Sequence, residues 1–236
     1  MKVPVCLMTY ERPDYFEWST EKLLKTDLSQ MSELVVFDDC SKTPEKIKQL
    51  DDFEARGYKV IRAERWGGTK YSFIDMLKYC FKEQDNEVFA LIQDDLVYNS
   101  QWLNKLIETY PLVPNLGILT CWDRRRYGKG DKNNVWVIRN PAGEGVNRGK
   151  NCRMGGAVWL VTKKLGLSIL DKNEKFIRSC GYDSAFQRRS FLTGFNNAAT
   201  VPSYVDHLGR LSIAHIGRHR GKAHMSWNFV GESDVN

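Results

Sequence analysis

The stretch that most limits what this chain can fold into runs from Val88 to Ile92, an unbroken set of apolar residues closed by Gln93, Asp94 and Asp95. A strand with one wet face alternates apolar and polar residues. A short continuous apolar run instead fits a strand buried on both faces of a parallel sheet. Two adjacent carboxylates at its end are costly to desolvate unless positive charge meets them, and a divalent cation is the usual partner. Taken alone, the pair fits a solvated strand-to-helix turn equally well. The chain then turns through Tyr98, Asn99 and Ser100 into a helix from Gln101, with Asn99 or Ser100 as its N-cap. In open α/β sheets, ligands bind beyond the carboxyl ends of the strands, where Asp94 and Asp95 fall.

The rest of the chain repeats the pattern. Val3 to Met8, Leu34 to Phe37, Lys59 to Ile61, Leu116 to Cys121 and Met154 to Val161 are further strand candidates. Helical stretches lie between them, two opened by Pro13 and Pro44 at the first turn, where a missing N–H costs nothing. Another runs from about Tyr71 to Phe81 and one starts at Lys163-Lys164. Alternation of this kind means βαβ units, so the expected fold class is α/β: one Rossmann-like domain over residues 1–236, with a mostly parallel central sheet flanked by helices. No apolar run approaches the roughly 18 residues of a transmembrane span, and Val3 to Met8 is too short for a signal peptide. A cytoplasmic protein with no transmembrane segment is expected. The cysteines (Cys6, Cys40, Cys80, Cys121, Cys152 and Cys180) form no C-x-x-C pair and read as reduced core thiols.

Charge is distributed unevenly. Between Asp123 and Arg153 there are nine Lys or Arg against three acids, and from His207 to Lys222 four basic residues and no acid. That segregation points to an anionic partner.

These turns resemble the nucleotide-binding half of GT-A fold glycosyltransferases of the family 2 type. Gln93-Asp94-Asp95-Leu96 is similar to their metal-binding acidic motif, most closely the Glu-Asp-Asp-Leu variant of N-acetylglucosaminyltransferase I-like enzymes, with Gln93 replacing the first acid. Thr9-Tyr10-Glu11-Arg12-Pro13 matches the opening T-x-x-R-P turn, and Asp38-Asp39-Cys40-Ser41 the turn that holds base and ribose in relatives. The resemblance implies that residues 1–122 form the nucleotide-sugar-binding half, using Thr9, Tyr10, Arg12, Asp38, Asp39, Gly68 and Asp94, with Gly156 from a later Gly-Gly segment beside the donor sugar. It implies further that Asp95 ligates Mn²⁺ or Mg²⁺. Without it, Asp38-Asp39 reads as a helix cap and Gly67-Gly68 as a flexible turn.

Residues 123–236 form the acceptor-binding and catalytic half in the same comparison. Gly181-Tyr182-Asp183, continuing to Arg189, resembles the segment where inverting members keep a catalytic carboxylate. This implies that Asp183 takes the proton from the acceptor hydroxyl; a helix start alone would also favour an Asp. Val205-Asp206-His207-Leu208-Gly209 resembles a V-x-H-x-G segment, implying that His207 joins Asp95 on the metal, a ligand pair that suits Mn²⁺ better than Mg²⁺. His215 and His219 are four apart, but Gly217 and Gly221 argue for a loop there. Arg124, Arg125, Arg126, Trp159 and Tyr182 are the acceptor candidates, and Arg218 and Arg220 the diphosphate candidates.

The expected activity is metal-dependent, inverting transfer from a nucleoside-diphosphate sugar, UDP-sugar favoured, to an acceptor hydroxyl. The basic segments suit a polyanionic acceptor such as DNA with hydroxymethylated bases, as in phage DNA glycosyltransferases, which would place the protein in a host cytoplasm. A saccharide or lipid-linked saccharide is the competing acceptor. A basic nucleic-acid-binding module is the alternative of another class, and it would not need Asp38, Asp95, Asp183 and His207 where they stand. Nucleotidyl transfer usually carries a Gly-rich phosphate loop after the first strand, which Thr9 to Pro13 is not.

Overall fold

The computed structural model describes residues 1–122, 135–138, 154–171, 182–207 and 229–230, the segment 135–138 by its backbone. In chain order the elements are β1 (Val3–Thr9), α1 (Pro13–Leu24), β2 (Met31–Asp38), α2 (Pro44–Ala55), β3 (Lys59–Arg62), α3 (Thr69–Lys78), β4 (Val88–Gln93), β5 (Leu96–Tyr98), α4 (Trp102–Thr109) and β6 (Leu116–Thr120). They continue with β7 (Val135–Ile138), β8 (Val158–Thr162), α5 (Lys163–Leu170), α6 (Tyr182–Leu192), β9 (Asn196–Thr200) and β10 (Val205–His207). One sheet has the order β3-β2-β1-β4-β8-β6-β9-β7, and β10 pairs with β5 in a second, two-stranded sheet. Within the large sheet β8 and β7 run against the other strands, so it is mixed but mostly parallel.

The unbroken apolar runs have the expected cause. β1 lies between β2 and β4, parallel to both, and every one of its residues is buried. Successive side chains of a strand point to opposite faces, and both faces are covered. Val5 and Leu7 of β1 and Ala90 and Ile92 of β4 meet Phe16 of α1, Leu50 of α2 and Trp102 of α4. Met8, Phe89 and Leu91 meet Phe73 of α3, Leu165 of α5 and Phe186 of α6 on the other side. Each such large side chain contributes about 1.5–3 kcal/mol by leaving water.

Two local expectations are corrected. After Asp95 the chain forms β5 before it turns, because β10 supplies an antiparallel partner for Leu96–Tyr98. The N-cap position of α4 is then Gln101, whose N–H is taken by Asn99 Oδ1 at 2.8 Å. The helix expected to reach Phe81 ends its α-helical part at Lys78 and continues as one π turn, Tyr79–Glu83. Among the described residues, no helix is long and apolar enough to cross a membrane.

The parallel strands bring their carboxyl ends to one edge. Thr9 of β1 pairs with Asp38 of β2, and Met8 with Gln93 of β4. The two acidic pairs, 38–39 and 94–95, therefore flank the end of β1.

Candidate active site

The turn between β1 and α1 is strained: Glu11 and Arg12 both have φ of 50°. A left-handed non-glycine residue costs on the order of 1 kcal/mol or more, and here the turn aims Arg12 across the end of β4. Its Nη1 donates to Asp95 Oδ2 at 2.9 Å, and its Nη2 donates to Asp94 Oδ1. The Thr9 hydroxyl donates to Asp94 Oδ2 at 2.5 Å. Burial pushes the Asp94 carboxyl above its ordinary range; Arg12 opposes this, and the charge of Asp95 adds to it. Burial works against the Arg12 guanidinium too, but the two carboxylates outweigh it and hold the group charged.

His207 reaches the same place through β10. It pairs with Leu96, the residue after Asp95, and its Nε2 stands 3.3 Å from Asp95 Oδ1. The contact is too poorly aligned for a hydrogen bond. Asp95 Oδ1 and His207 Nδ1 are buried without a hydrogen-bond partner among the described residues. The indole of Trp122 lies against the imidazole, with ring centroids 5.3 Å apart and planes at 31°.

This pair fits a divalent cation. Two ligands at right angles on a cation with bonds of about 2.1 Å stand about 3 Å apart, and an open carboxylate oxygen facing an imidazole nitrogen is a suitable donor set. Among the described residues no group of three or more His, Cys, Asp or Glu is gathered for a metal. A cation here would depend on water or ligand oxygens to complete its shell, as Mg²⁺ does when it binds through one or two carboxylates and substrate phosphates.

The other acidic pair is satisfied close at hand. Asp38 accepts from the Ser41 N–H at 2.9 Å and from the Ser41 hydroxyl. Asp39 accepts from Gly67 N at 2.9 Å and Gly68 N at 2.6 Å. Gly68 has φ of +80°, which only glycine adopts at little cost. The Gly67-Gly68 backbone is thus held by Asp39. Asp38, Asp39, Trp66, Gly67 and Tyr71 line a cavity of about 800 Å³. Trp66, 65% exposed, has its ring centroid 6.3 Å from that of Tyr10.

Across β4 the expectations change most. Trp159, expected at the acceptor, is fully buried and packs edge-on against Phe73 at 5.9 Å. On β8 it faces the core, so its acceptor role is withdrawn. Tyr182, also expected there, is buried; its hydroxyl donates to the Gly156 carbonyl and accepts from Gln93 Nε2 at 2.7 Å. It therefore ties the start of α6 to β4. Gly156 is required at that point, because an added Cβ would lie 2.3 Å from the Tyr182 oxygen. Asp183 follows in the first turn of α6, half-buried, its Oδ1 accepting from Ser184 N at 2.8 Å. Burial raises the Tyr182 hydroxyl pKa, and the charges of Asp183 and Asp95 both add to the rise.

Sequence reasoning missed Lys46, which sits fully buried beneath Thr9, and Trp122, which packs on His207. Lys46 carried no signal of its own, whereas Trp122 directly follows an apolar strand. Arg124, Arg125, Arg126, Arg218 and Arg220 lie outside the described residues.

A search of curated proteins finds no match. Solved structures share the fold. The mannosyltransferase PcManGT from Pyrobaculum calidifontis, in complex with GDP-Man and Mn²⁺, superposes with a TM-score of 0.61 at 15% identity, covering 86% of this chain and 55% of that one. S. aureus TarS 1-349 in complex with UDP-GlcNAc gives 0.62 at 18% identity, covering 87% and 58%. GalNAc-T7 with UDP, GalNAc and Mn²⁺ gives 0.65 at 12% identity, covering 88% and 44%. The chain thus spans about half the length of these proteins. The family model for glycosyl transferase family 2 matches residues 5–179, and with three quarters of its length inside that match the chain belongs to glycosyl transferase family 2.

Proposed function

We propose that the protein transfers a sugar from a nucleoside-diphosphate sugar, with uridine diphosphate the favoured leaving group, to an acceptor hydroxyl. The observation that carries this reading is the meeting of His207 Nε2 and Asp95 Oδ1 at 3.3 Å beside the Thr9, Arg12 and Asp94 cluster. Structures of similar fold with GDP-Man and Mn²⁺, and with UDP-GlcNAc, support the substrate class.

Asp95 and His207 would hold a Mn²⁺ or Mg²⁺ ion, which when bound stabilises negative charge on the departing nucleoside diphosphate. Asp94, fixed by Thr9 and Arg12, accepts hydrogen bonds from sugar or ribose hydroxyls. Asp38 and Asp39 stand at the wall of the 800 Å³ cavity with Trp66, which takes the nucleoside. Each carboxylate oxygen can accept a further hydrogen bond beyond the local one. Asp183 removes the proton of the acceptor hydroxyl as that oxygen attacks, and an in-line attack of this kind inverts the anomeric centre. Asp183 stands in the first turn of α6, where the helix end presents partial positive charge to it.

A ligand that binds only the native state raises its apparent stability. Uridine diphosphate with Mn²⁺ should therefore raise Tm beyond either alone. A screen in which no nucleoside diphosphate does so with Mn²⁺ or Mg²⁺ overturns the reading. Asp183→Asn should cut transfer roughly 10²–10⁴-fold with diphosphate binding intact; transfer near the wild-type rate removes Asp183 from the base role. The charge between Asp123 and Arg153 favours DNA as the acceptor, in which case transfer falls steeply with salt. A flat response points to a saccharide or lipid-linked saccharide.

A further inference from the structure

Lys46 stands near the start of α2, between Glu45 and Ile47, where the sequence pattern would leave it in water. It is 0% exposed. Its ammonium sits 3.3 Å from the centroid of the Phe16 ring, and Nζ donates to Thr9 Oγ1 at 2.7 Å. Lysines are almost never fully buried unless paired, and among the described residues no carboxylate forms an ion pair with this one. The nearest acidic partner is reached through a hydroxyl.

The direction of donation along that path is set by chemistry. An ammonium has donors and no lone pair, while a threonine hydroxyl has one donor and two lone pairs. Lys46 therefore occupies a lone pair of Thr9 and leaves the hydroxyl proton for Asp94, which receives it at 2.5 Å. A neutral or apolar residue at position 46 would free the Thr9 hydroxyl to turn away. Asp94 would then keep only Arg12 as its counter-charge.

We propose that Lys46 is a positioning residue of the donor site, holding the Asp94 carboxylate turned toward the sugar nucleotide through the Thr9 hydroxyl, without touching the ligand. The proposal rests on the assignment of Asp94 as a donor contact. Burial supports it by showing that the arrangement is costly: the ammonium is pushed down to about 7, with Asp94 and Asp38 resisting that fall.

The test uses Lys46→Met, which keeps the length and the apolar stem and removes the charge. The donor KM should rise at least tenfold while kcat at saturating donor stays within about threefold, the pattern of lost uniform binding. A filler role would leave KM unmoved. Thr9→Val should raise KM similarly, and the double variant should be no worse than the single ones, because groups acting in series are not additive. If Lys46→Met does not fold, Lys46→Leu, which likewise offers Thr9 no N–H, should still show the raised KM. An unchanged KM in the folded variant, or penalties that multiply in the double variant, overturn the proposal. If wild-type protein fails to bind any nucleoside diphosphate with Mn²⁺, the functional reading falls and this one with it. If wild type binds and Lys46→Met binds equally, only this one falls.

Discussion

Two adjacent acidic pairs stand on either side of the end of β1, and they are satisfied in opposite ways. Asp38 and Asp39 take neutral donors: the Ser41 hydroxyl and N–H, and the N–H groups of Gly67 and Gly68. Asp94 and Asp95 take no backbone N–H among their described contacts. Their partners are the Arg12 guanidinium, the Thr9 hydroxyl and the His207 imidazole, all distant in sequence, and Asp95 Oδ1 is left without a hydrogen bond. The first pair shapes a loop. The second is met by side chains alone, with Arg12 supplying the positive charge, and keeps one oxygen without a hydrogen bond, so on the proposed reading it is the pair that an added cation would complete. The same dipeptide is thus met by local donors at one strand end and by side chains from distant segments at the next.

Substituting one member of each pair is the most direct way to break this contrast. Stabilisation by Mn²⁺ with a nucleoside diphosphate, about 2.7 kcal/mol at a hundredfold excess over Kd, should vanish in Asp95→Asn. Asp39→Asn should keep the Mn²⁺ dependence and lose about 1–3 kcal/mol of unfolding free energy, since an amide cannot accept from both glycine N–H groups. Chemical denaturation and thermal shifts measure both. If Asp39→Asn abolishes the Mn²⁺ effect while Asp95→Asn retains it, the two roles have been assigned the wrong way round.

A smaller effect should come from behind His207. A Cβ added at Gly155 would lie 1.8 Å from a ring carbon of Trp122, so Gly155→Ala must move the indole that packs on the imidazole. The Mn²⁺ concentration for half-maximal activity should rise about tenfold, at the low end of what groups behind metal ligands contribute. An unchanged Mn²⁺ requirement would mean that Trp122 does not orient His207.

Much of the frame was legible in the sequence because its signals are local. Apolar runs such as Val3 to Met8 and Val88 to Ile92 mark strands buried on both faces, and Pro13 and Pro44 mark helix starts. The acidic pair at 94–95 could be placed at a strand end, but not told apart from the pair at 38–39. That difference depends on which donors fold back onto each. The three-residue strand β10 is too short to show periodicity, and its pairing with β5 crosses more than a hundred residues. Trp159 was misread because an apolar aromatic at a strand position does not reveal which face it joins; β8 turns it into the core. Lys46 looked like one more charge on a polar helix, and only the approach of Thr9 beneath α2 buries it.

That buried lysine offers the finest test of the contrast, because it carries a neighbour's charge where Asp38 and Asp39 need none. In the folded protein Lys46 loses its proton near pH 7, against an ordinary value of 10.5. Between those values the unfolded chain binds more protons than the native one, so stability must rise with pH across that window. The slope is at most about 1.4 kcal/mol per pH unit, and below about pH 7 both states hold the proton and the term is flat. Burial sets that value, Arg12 adds to the fall, and Asp94, Asp38 and Glu11 oppose it, while the raised Asp94 acts on stability with the opposite sign. The difference between wild type and Lys46→Met isolates the lysine. Urea unfolding at several pH values between about 7 and 9.5 should show the wild-type curve climbing relative to the variant. Parallel curves would mean that Lys46 is not the costly charge this site is built on, and that Asp94 is balanced by Arg12 alone.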